Sequence, residues 1–402
     1  MTVQTTSNLS NSVRARYLDE YIEAAMFNRL YDQLSTPVPK VETVDNAMNG
    51  SSVVVPFLSD LAPVESAISQ VADLNPVTLR DTTASITPTS RANAIQWSQE
   101  LDIKAYTDYG SKRFKAIGKN ASESIDLLAQ IAALQGTNVV RPAARASLDA
   151  GTAGNRLTDT ALIQIDARLQ AQMCPYYVDA NGRKTWLLIA HPDVIHDLRT
   201  GGNLLPVAAY QQSEIIMQWE LGRVGSFRII QNAWAKVFGA AGADNASNVA
   251  TTLSGAHTAL SKTLTVASGT NVAAGQQLTI GTEETGNTFY PTNERVFVDD
   301  SYTSGTSVPI IGSGANGGLR FDHDSGAAVR NADNAYPVAY GSPMSLAKLF
   351  APQVGAFGEV VGPTKTGLVE QFTSLGWKFF GGYGRWTESW LVRGEYSSSL
   401  QA

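Results

Sequence analysis

The stretch from about Tyr109 to Gly136, YGSKRFKAIGKNASESIDLLAQIAALQG, constrains this chain more than any other. Phe114, Ile117, Ala121, Ile125, Leu128, Ala132 and Gln135 recur at steps of three or four, and Leu127, Ile131 and Leu134 widen the stripe. That period predicts one long amphipathic helix, with Gly136 as its stop. At 1.5 Å per residue such a helix is roughly 40 Å long, about the diameter of a small domain. It would act as a strut, and the segments on either side of it must lie along it. A chain of 402 residues has room for two or three domains and a sizeable core.

Before the strut, residues 1–10 are mostly Ser, Thr, Asn and Gln and predict an extended arm. Residues 13–34 have helical spacing at Tyr17, Tyr21, Ala24, Ala25, Asn28 and Tyr31, with a second stripe at Ile22, Met26, Leu30 and Leu34. A short helix cannot bury both stripes alone, so it should pack on something else, a neighbouring subunit being one candidate. Pro37 and Pro39 end it. Over residues 51–105 no core-forming period holds. SSVVVPFL reads as a strand, Pro63 and Pro76 break the polar stretch after it, and a Thr- and Ser-rich extended segment closes the span. We expect a long two-stranded excursion, which is marginal in water by itself and needs support from another chain.

After the strut, residues 137–157 form a polar connector. Thr158 or Asp159 then caps a helix carrying Leu162, Ile165 or Asp166, Leu169 and Met173. Asn181-Gly182 marks a turn. The run from Thr185 to Ala190, TWLLIA, predicts a strand buried on both faces. HPDVIHDLR starts a helix with Pro192 near its first position, and residues 221–232 make a Gly-punctuated turn into a strand. From about Gly242 to Tyr340, short strands at Thr263–Val266, Gln277–Ile280, Arg295–Val298 and Val308–Ile311 alternate with Gly, Asn, Thr and Ser turns, predicting a small all-β insertion. Residues 371–400 read as two aromatic strands joined at Gly381-Gly382.

Composition narrows the function classes. A formal net charge of −6 argues against tight wrapping of nucleic acid, which needs clustered Lys and Arg, but allows proximity to DNA without adhesion. A single cysteine, Cys174, excludes an internal disulfide framework. No apolar run approaches the roughly 20 residues that span a bilayer, and residues 1–17 have no apolar signal core. The expectation is a chain made in a cytoplasm, with no membrane partner.

No residue pattern points to a catalytic, cofactor or metal site. Gly312-Ser-Gly314-Ala-Asn-Gly317 satisfies G-x-G-x-x-G, but GLRFDHDSG comes next where a phosphate-holding helix is required, so a loose surface loop is the reading. Asp322, His323 and Asp324 alternate faces if extended and read as a solvated loop rather than a metal site. His191 and His196 are five apart, the wrong spacing for a metal pair on a helix, and Asp193 and Asp197 read as charges favoured by a helix N-terminus. Cys174, before Pro175, reads as a small buried hydrophobe. Lys112, Arg113, Lys115 and Lys119 form the densest basic cluster, read as a solvated helix face. Extended arms, a strut and an inserted β module without chemistry describe a building block.

The order of parts resembles a tailed-phage major capsid protein of the Hong Kong-type capsid fold, an α+β architecture. Trp186-Leu-Leu-Ile-Ala-His-Pro192 followed by Asp197-Leu-Arg199 is similar to the strand-then-helix step of that family's axial domain, and residues 220–230, ELGRVGSFRII, to the Gly-rich turn and strand after it. Within the insertion, Leu264–Val266, Ala274–Ile280, Val296–Val298 and Val308–Ile310 resemble the small β-barrel inserted in several podophage-type coat proteins. The resemblance implies an N-terminal arm at 1–48, an extended loop at 49–107, a peripheral domain at 108–154 and 359–402 containing the spine helix, an axial domain at 155–242 and 341–358, and the insertion domain at 243–340. It further implies self-assembly into hexamers and pentamers of an icosahedral virion shell around double-stranded DNA, built in the bacterial host cytoplasm, with scaffolding and cement or decoration proteins as partners. Some members cross-link through a Lys in the extended loop; residues 51–100 contain none, so non-covalent overlap must hold this shell. Weighed against it are a virion decoration or tail-fibre protein, which the Thr/Gly-rich β module would serve, a bacterial nanocompartment shell protein, and a carbohydrate-active hydrolase using Asp and Glu pairs.

Overall fold

In the computed structural model the strut is one α-helix, Tyr109–Leu134, ending just before Gly136. The structure describes residues 31–37, 53–58, 81–104, 109–145, 148, 152–178, 184–201, 205–206, 220–238, 249–282, 290–331, 336–342, 345–350, 358–366 and 370–401. The expected arm at 1–10, the helix over 13–30 and the Asn181-Gly182 turn lie outside them. Two units divide the chain: 1–27, 37–122 and 346–387 form the first; 28–36, 123–345 and 388–402 form the second. The helix supplies residues to both.

The first unit is built on one long strand, Phe372–Arg385. Thr89–Ser98 runs antiparallel to it from Ser98↔Phe372 to Thr89↔Gly381. Glu359–Thr366 pairs with it over Phe372–Lys378, and Leu346–Phe350 pairs with it over Gly381–Arg385. The expected turn at Gly381-Gly382 is therefore wrong: both glycines sit inside the ladder. Close packing explains them, since a Cβ on Gly381 would lie 2.3 Å from the Leu349 carbonyl oxygen and one on Gly382 2.9 Å from that of Thr87. The first half of the helix lies on this sheet. The Arg113 guanidinium stacks 4.1 Å from the Trp97 ring centroid, and Asn120 Oδ1 accepts from Trp377 Nε1 at 2.9 Å and from Asn93 Nδ2 at 3.1 Å. The two-stranded excursion is present as Val53–Leu58 paired antiparallel with Asp81–Ile86. It is shorter than expected at its base, because Thr89–Ser98 belongs to the sheet.

The second unit holds an eight-stranded mixed sheet. In spatial order it runs Val139–Val140, Val392–Tyr396, Tyr336–Gly341, Lys184–Ala190, Phe227–Gln231, Glu220–Val224 and Leu205–Pro206, with Tyr177–Val178 also beside Lys184–Ala190. The predicted doubly buried strand is at the centre, parallel to Phe227–Gln231 and antiparallel to Tyr336–Gly341, with Trp186 to Ala190 fully buried. The final strand Val392–Tyr396 joins this sheet and not the aromatic strand before it. Two helices cover the sheet: Asp159–Ala171, capped by Thr158, and Pro192–Thr200, capped by His191 with Pro192 in the first turn. Leu162, Ile165 and Leu169 of one and Val194, Ile195 and Leu198 of the other pack on Trp186, Leu188, Ile229 and Tyr340. Met173 is the exception to its predicted stripe: it has positive φ past the helix end and is exposed. Tyr31, expected to pack outside its own helix, is fully buried, with its N–H donating to Asp126 Oδ1 of the chain's own strut at 2.8 Å.

Residues 249–331 of the same unit make a six-stranded antiparallel sheet of their own. Its order is Ala250–Thr252, Ala328–Arg330, Gln277–Gly281, Glu294–Val298, Ser307–Gly312, Thr263–Thr265. The edge strands meet: Leu253 bridges Val266, Ser254 N–H donates to the Thr265 carbonyl and Ala267 N–H to the Thr252 carbonyl, both at 2.8 Å. The sheet thereby closes into a barrel, which removes free edges. Leu264, Leu278, Ile280, Val296, Val298, Val308 and Val329 fill it.

Candidate functional site

Two polar clusters hold the second unit together. The first is at the end of the strut. Strand Val392–Tyr396 is buried at every residue, yet carries Arg393 and Glu395 on one face. Glu395 accepts from Arg141 Nε at 2.6 Å and Arg145 Nε at 2.9 Å, and Arg393 Nε lies 2.9 Å from its Oε1. Burial alone would raise this carboxyl. Hydrogen bonds from Arg145 and Arg141 and the charges of Arg145 and Arg393 outweigh it and hold Glu395 below its ordinary range. Arg393 Nη1 donates to the Leu134 carbonyl, one of the acceptors that a helix C-terminus leaves open, where a cation is also favoured by the dipole. The Phe238 ring lies against both Arg145 and Arg393, at 4.5 and 5.5 Å. The knot thus fastens the strut's end to the last strand.

The second cluster lines a cleft of about 390 Å³ between the strut's second half, the segment Ala233–Val237 and the outer wall of the barrel. Arg320 Nη2 donates to Glu123 Oε2 at 2.7 Å while its guanidinium stacks 3.8 Å from the Trp234 ring. Arg295 Nη1 donates to Asp193 Oδ2 at 2.7 Å. Lys236 Nζ donates to the Asn293 carbonyl at 2.8 Å and lies 4.7 Å from the Phe321 ring. Glu294, buried in the barrel wall, accepts from the backbone N–H groups of Arg320 and Phe321 at 2.9 and 3.0 Å and pairs with His323 Nε2 at 2.9 Å. These contacts order a joint. They offer no base-activated nucleophile.

Apart from His191 beside Asp193 and His196 beside Asp197, the residues singled out from sequence are not brought together into one site. Gly312 and Gly314 are not in a loose loop: Gly314 N–H donates to the Gly318 carbonyl at 2.8 Å, and a Cβ at either position would lie within 2.4 Å of the backbone at 318–319. Asp322 and Asp324 are exposed, as the solvated-loop reading expects, but His323 is not. Asp322 Oδ1 accepts from Ala259 N–H at 2.7 Å, and His323 is buried against Glu294. His191 caps its helix through Nδ1, 3.3 Å from Asp193 N–H, and burial keeps it below the ordinary imidazole range despite its hydrogen bond with Asp193. Asp197 holds the C-terminal segment through Ser399 N–H at 3.0 Å. Cys174 is buried, with its thiol pushed up to about 11 by desolvation. Lys112, Lys115 and Lys119 are exposed and Arg113 is half-buried on Trp97. Among the described residues no group of His, Cys, Asp and Glu is placed to hold a metal, and no helix is long and apolar enough to cross a membrane.

Sequence reasoning missed Glu123, Glu294, Arg320, Arg393 and Glu395. One signal was available for the last two: Val392-Arg-Gly-Glu-Tyr396 puts opposite charges two apart, hence on one face of a strand that is otherwise apolar.

Neither a family model nor a curated protein matches the sequence. Solved structures do. The capsid of Ralstonia phage GP4 aligns over 87% of this chain and 84% of that chain at 12% identity with a TM-score of 0.50. The cyanophage Pam1 capsid asymmetric unit aligns over 87% and 86% at 11% identity, TM-score 0.48, and a Mycobacterium phage Che8 structure over 91% and 90% at 9% identity, TM-score 0.46. Of these three, only the Ralstonia phage capsid is similar enough to carry weight, and at 12% identity it speaks for the fold. This mixed helix-and-sheet chain has the fold found in the capsid of Ralstonia phage GP4.

Proposed function

We propose that this chain is the major capsid protein of a tailed bacteriophage, a structural subunit with no catalytic role. The observation that carries the reading is the fold likeness to a phage capsid over most of both chains. The two-stranded ribbon Val53–Leu58/Asp81–Ile86 supports it, because a ribbon of that size is marginal by itself and gains stability from neighbouring copies. The fold is of the Hong Kong type. Residues 1–48 serve as arm, 49–107 as extended loop, the spine helix with its sheet as peripheral domain, the eight-stranded sheet with its helices as axial domain, and the barrel 249–331 as the core of an insertion domain.

Copies assemble into hexamers and pentamers of an icosahedral virion shell in the host cytoplasm, with scaffolding and cement or decoration proteins as partners. Obligate interfaces of this kind bury about 2,000 Å² or more, and closed symmetry repeats each contact around the shell. The net charge of −6 lets the inner wall face packaged double-stranded DNA without adhering to it. The test is sedimentation and negative-stain imaging of the purified chain. Capsomers or closed shells are expected; a stable monomer under every assembly condition would refute the reading.

A further inference from the structure

We propose that His191 is the proton acceptor of an acid-released latch between the barrel 249–331 and the eight-stranded sheet. The inference goes beyond the capsid reading and does not depend on it. Three side chains stand in a row. His191 follows the central strand Lys184–Ala190 and immediately precedes helix Pro192–Thr200. Its Nδ1 accepts from the Asp193 N–H at 3.3 Å, so the ring is the N-cap of that helix. Asp193 has Oδ1 3.3 Å from the same Nδ1 and Oδ2 2.7 Å from Nη1 of Arg295, which belongs to barrel strand Glu294–Val298. The three side chains are 12%, 15% and 16% exposed. One carboxylate therefore faces the sheet's histidine with one oxygen and the barrel's arginine with the other.

The choice of cap residue makes this joint sensitive to acid. Ser, Thr and Asn, the usual caps, keep their acceptor oxygen at any pH. Histidine loses its acceptor when the ring is protonated, and does so near neutrality. A second proton on His191 has three effects. The cap bond to the Asp193 N–H is lost. Nδ1 becomes a donor to Asp193 Oδ1 and competes with Arg295 for the carboxylate. A new cation stands beside Arg295 and at the positive end of the helix dipole. All three act against the bond between Arg295 and Asp193.

The other charged groups around the ring do not offset this. On its own helix, Asp197 pairs with His196 and holds Ser399. Across the cleft that His191 lines stand Glu123, Asp126, Lys236, Glu294 and Arg320. Glu123 accepts from Arg320, Asp126 from the Tyr31 N–H, and Glu294 from the backbone at 320–321. Lys236 donates to the Asn293 carbonyl. Asp193 is thus the carboxylate that the charged ring would engage. Burial holds the ring below its ordinary range, against the Asp193 hydrogen bond and with the charge of Arg295. A group lowered in this way stabilises the closed joint fully above its free value of about 6.5. That contribution is lost as pH falls from there toward the lowered native value.

The test is hydrogen exchange of the full chain, corrected for intrinsic rates, at about pH 7.5 and about pH 5.5, with sedimentation at each pH to hold the assembly state fixed. Protection of peptides covering 192–195 and 233–237 should fall in acid by up to about tenfold, the ratio a free value of about 6.5 allows. Peptides covering 186–190, at the centre of the sheet, should not change. His191→Asn keeps a capping acceptor but cannot take the proton, and its protection should change less than about twofold; His196→Asn, at an exposed neighbour, should follow the native chain. Arg295→Gln should show the acid level of protection at 233–237 already at about pH 7.5. A native change under about twofold, or a His191→Asn chain that opens in acid as the native one does, would overturn the proposal. If His191→Asn melts early, the native chain and Arg295→Gln decide, and an Arg295→Gln chain protected like the native one at about pH 7.5 would overturn it. None of these outcomes bears on the capsid reading, which assembly of the chain decides.

Discussion

Glu395→Gln tests the knot at the end of the strut. The side chain of Glu395 is fully buried and faces Arg141, Arg145 and Arg393, whose side chains are 32%, 12% and 1% exposed. Gln keeps the shape and one acceptor but leaves the guanidiniums without their anion. Removing one partner of a buried ion pair costs about 3–5 kcal/mol. In a unit of this size 1 kcal/mol moves the midpoint by about 2–4 °C, so thermal unfolding at pH 7 should fall by about 6–20 °C. The pH dependence gives an independent arm. Because the native carboxyl titrates below its ordinary range, its contribution is complete above the unfolded value of about 4.3 and is lost as pH falls through the lower native value. The gap between the native chain and Glu395→Gln should therefore be full above about pH 4.3 and narrow steadily as pH falls below it toward the lowered native value. Circular dichroism melts from pH 3 to 7 read both arms. A midpoint change under about 2 °C at pH 7, or a gap that does not narrow between about pH 4.3 and about pH 3, would refute the assignment of the knot as a net stabiliser.

Glu294→Ala leaves the backbone N–H groups of Arg320 and Phe321 without their acceptor, and at about 1–3 kcal/mol for each buried group left unsatisfied the barrel should open first, seen as early proteolysis within 249–331. Cys174, with its thiol raised to about 11, should resist alkylation at pH 8 in the folded chain and react once the chain is unfolded in denaturant; equal rates in both states would place it outside the core.

The local elements were legible in the order of residues alone. The period of Phe114, Ile117, Ala121 and Ile125, all buried, specified the strut, because a helix of that length has only one face to bury. The run Trp186–Ala190 specified a strand covered on both sides, Thr158 and Pro192 specified helix starts, and turn residues between short strands marked out the barrel. The partners of charged and glycine residues emerged only on folding. Gly381-Gly382 and Gly312-x-Gly314 read as turns or loose loops in one dimension, yet the first pair is ladder and both sets admit another backbone. His323 reads as solvated until Glu294, 29 residues away in sequence, is brought against it. Glu395 and Arg145 are 250 residues apart. A side chain's own backbone preferences are set by its neighbours in sequence, whereas the partner of a buried charge is set by which distant segments the fold brings together. No period or spacing encodes that pairing.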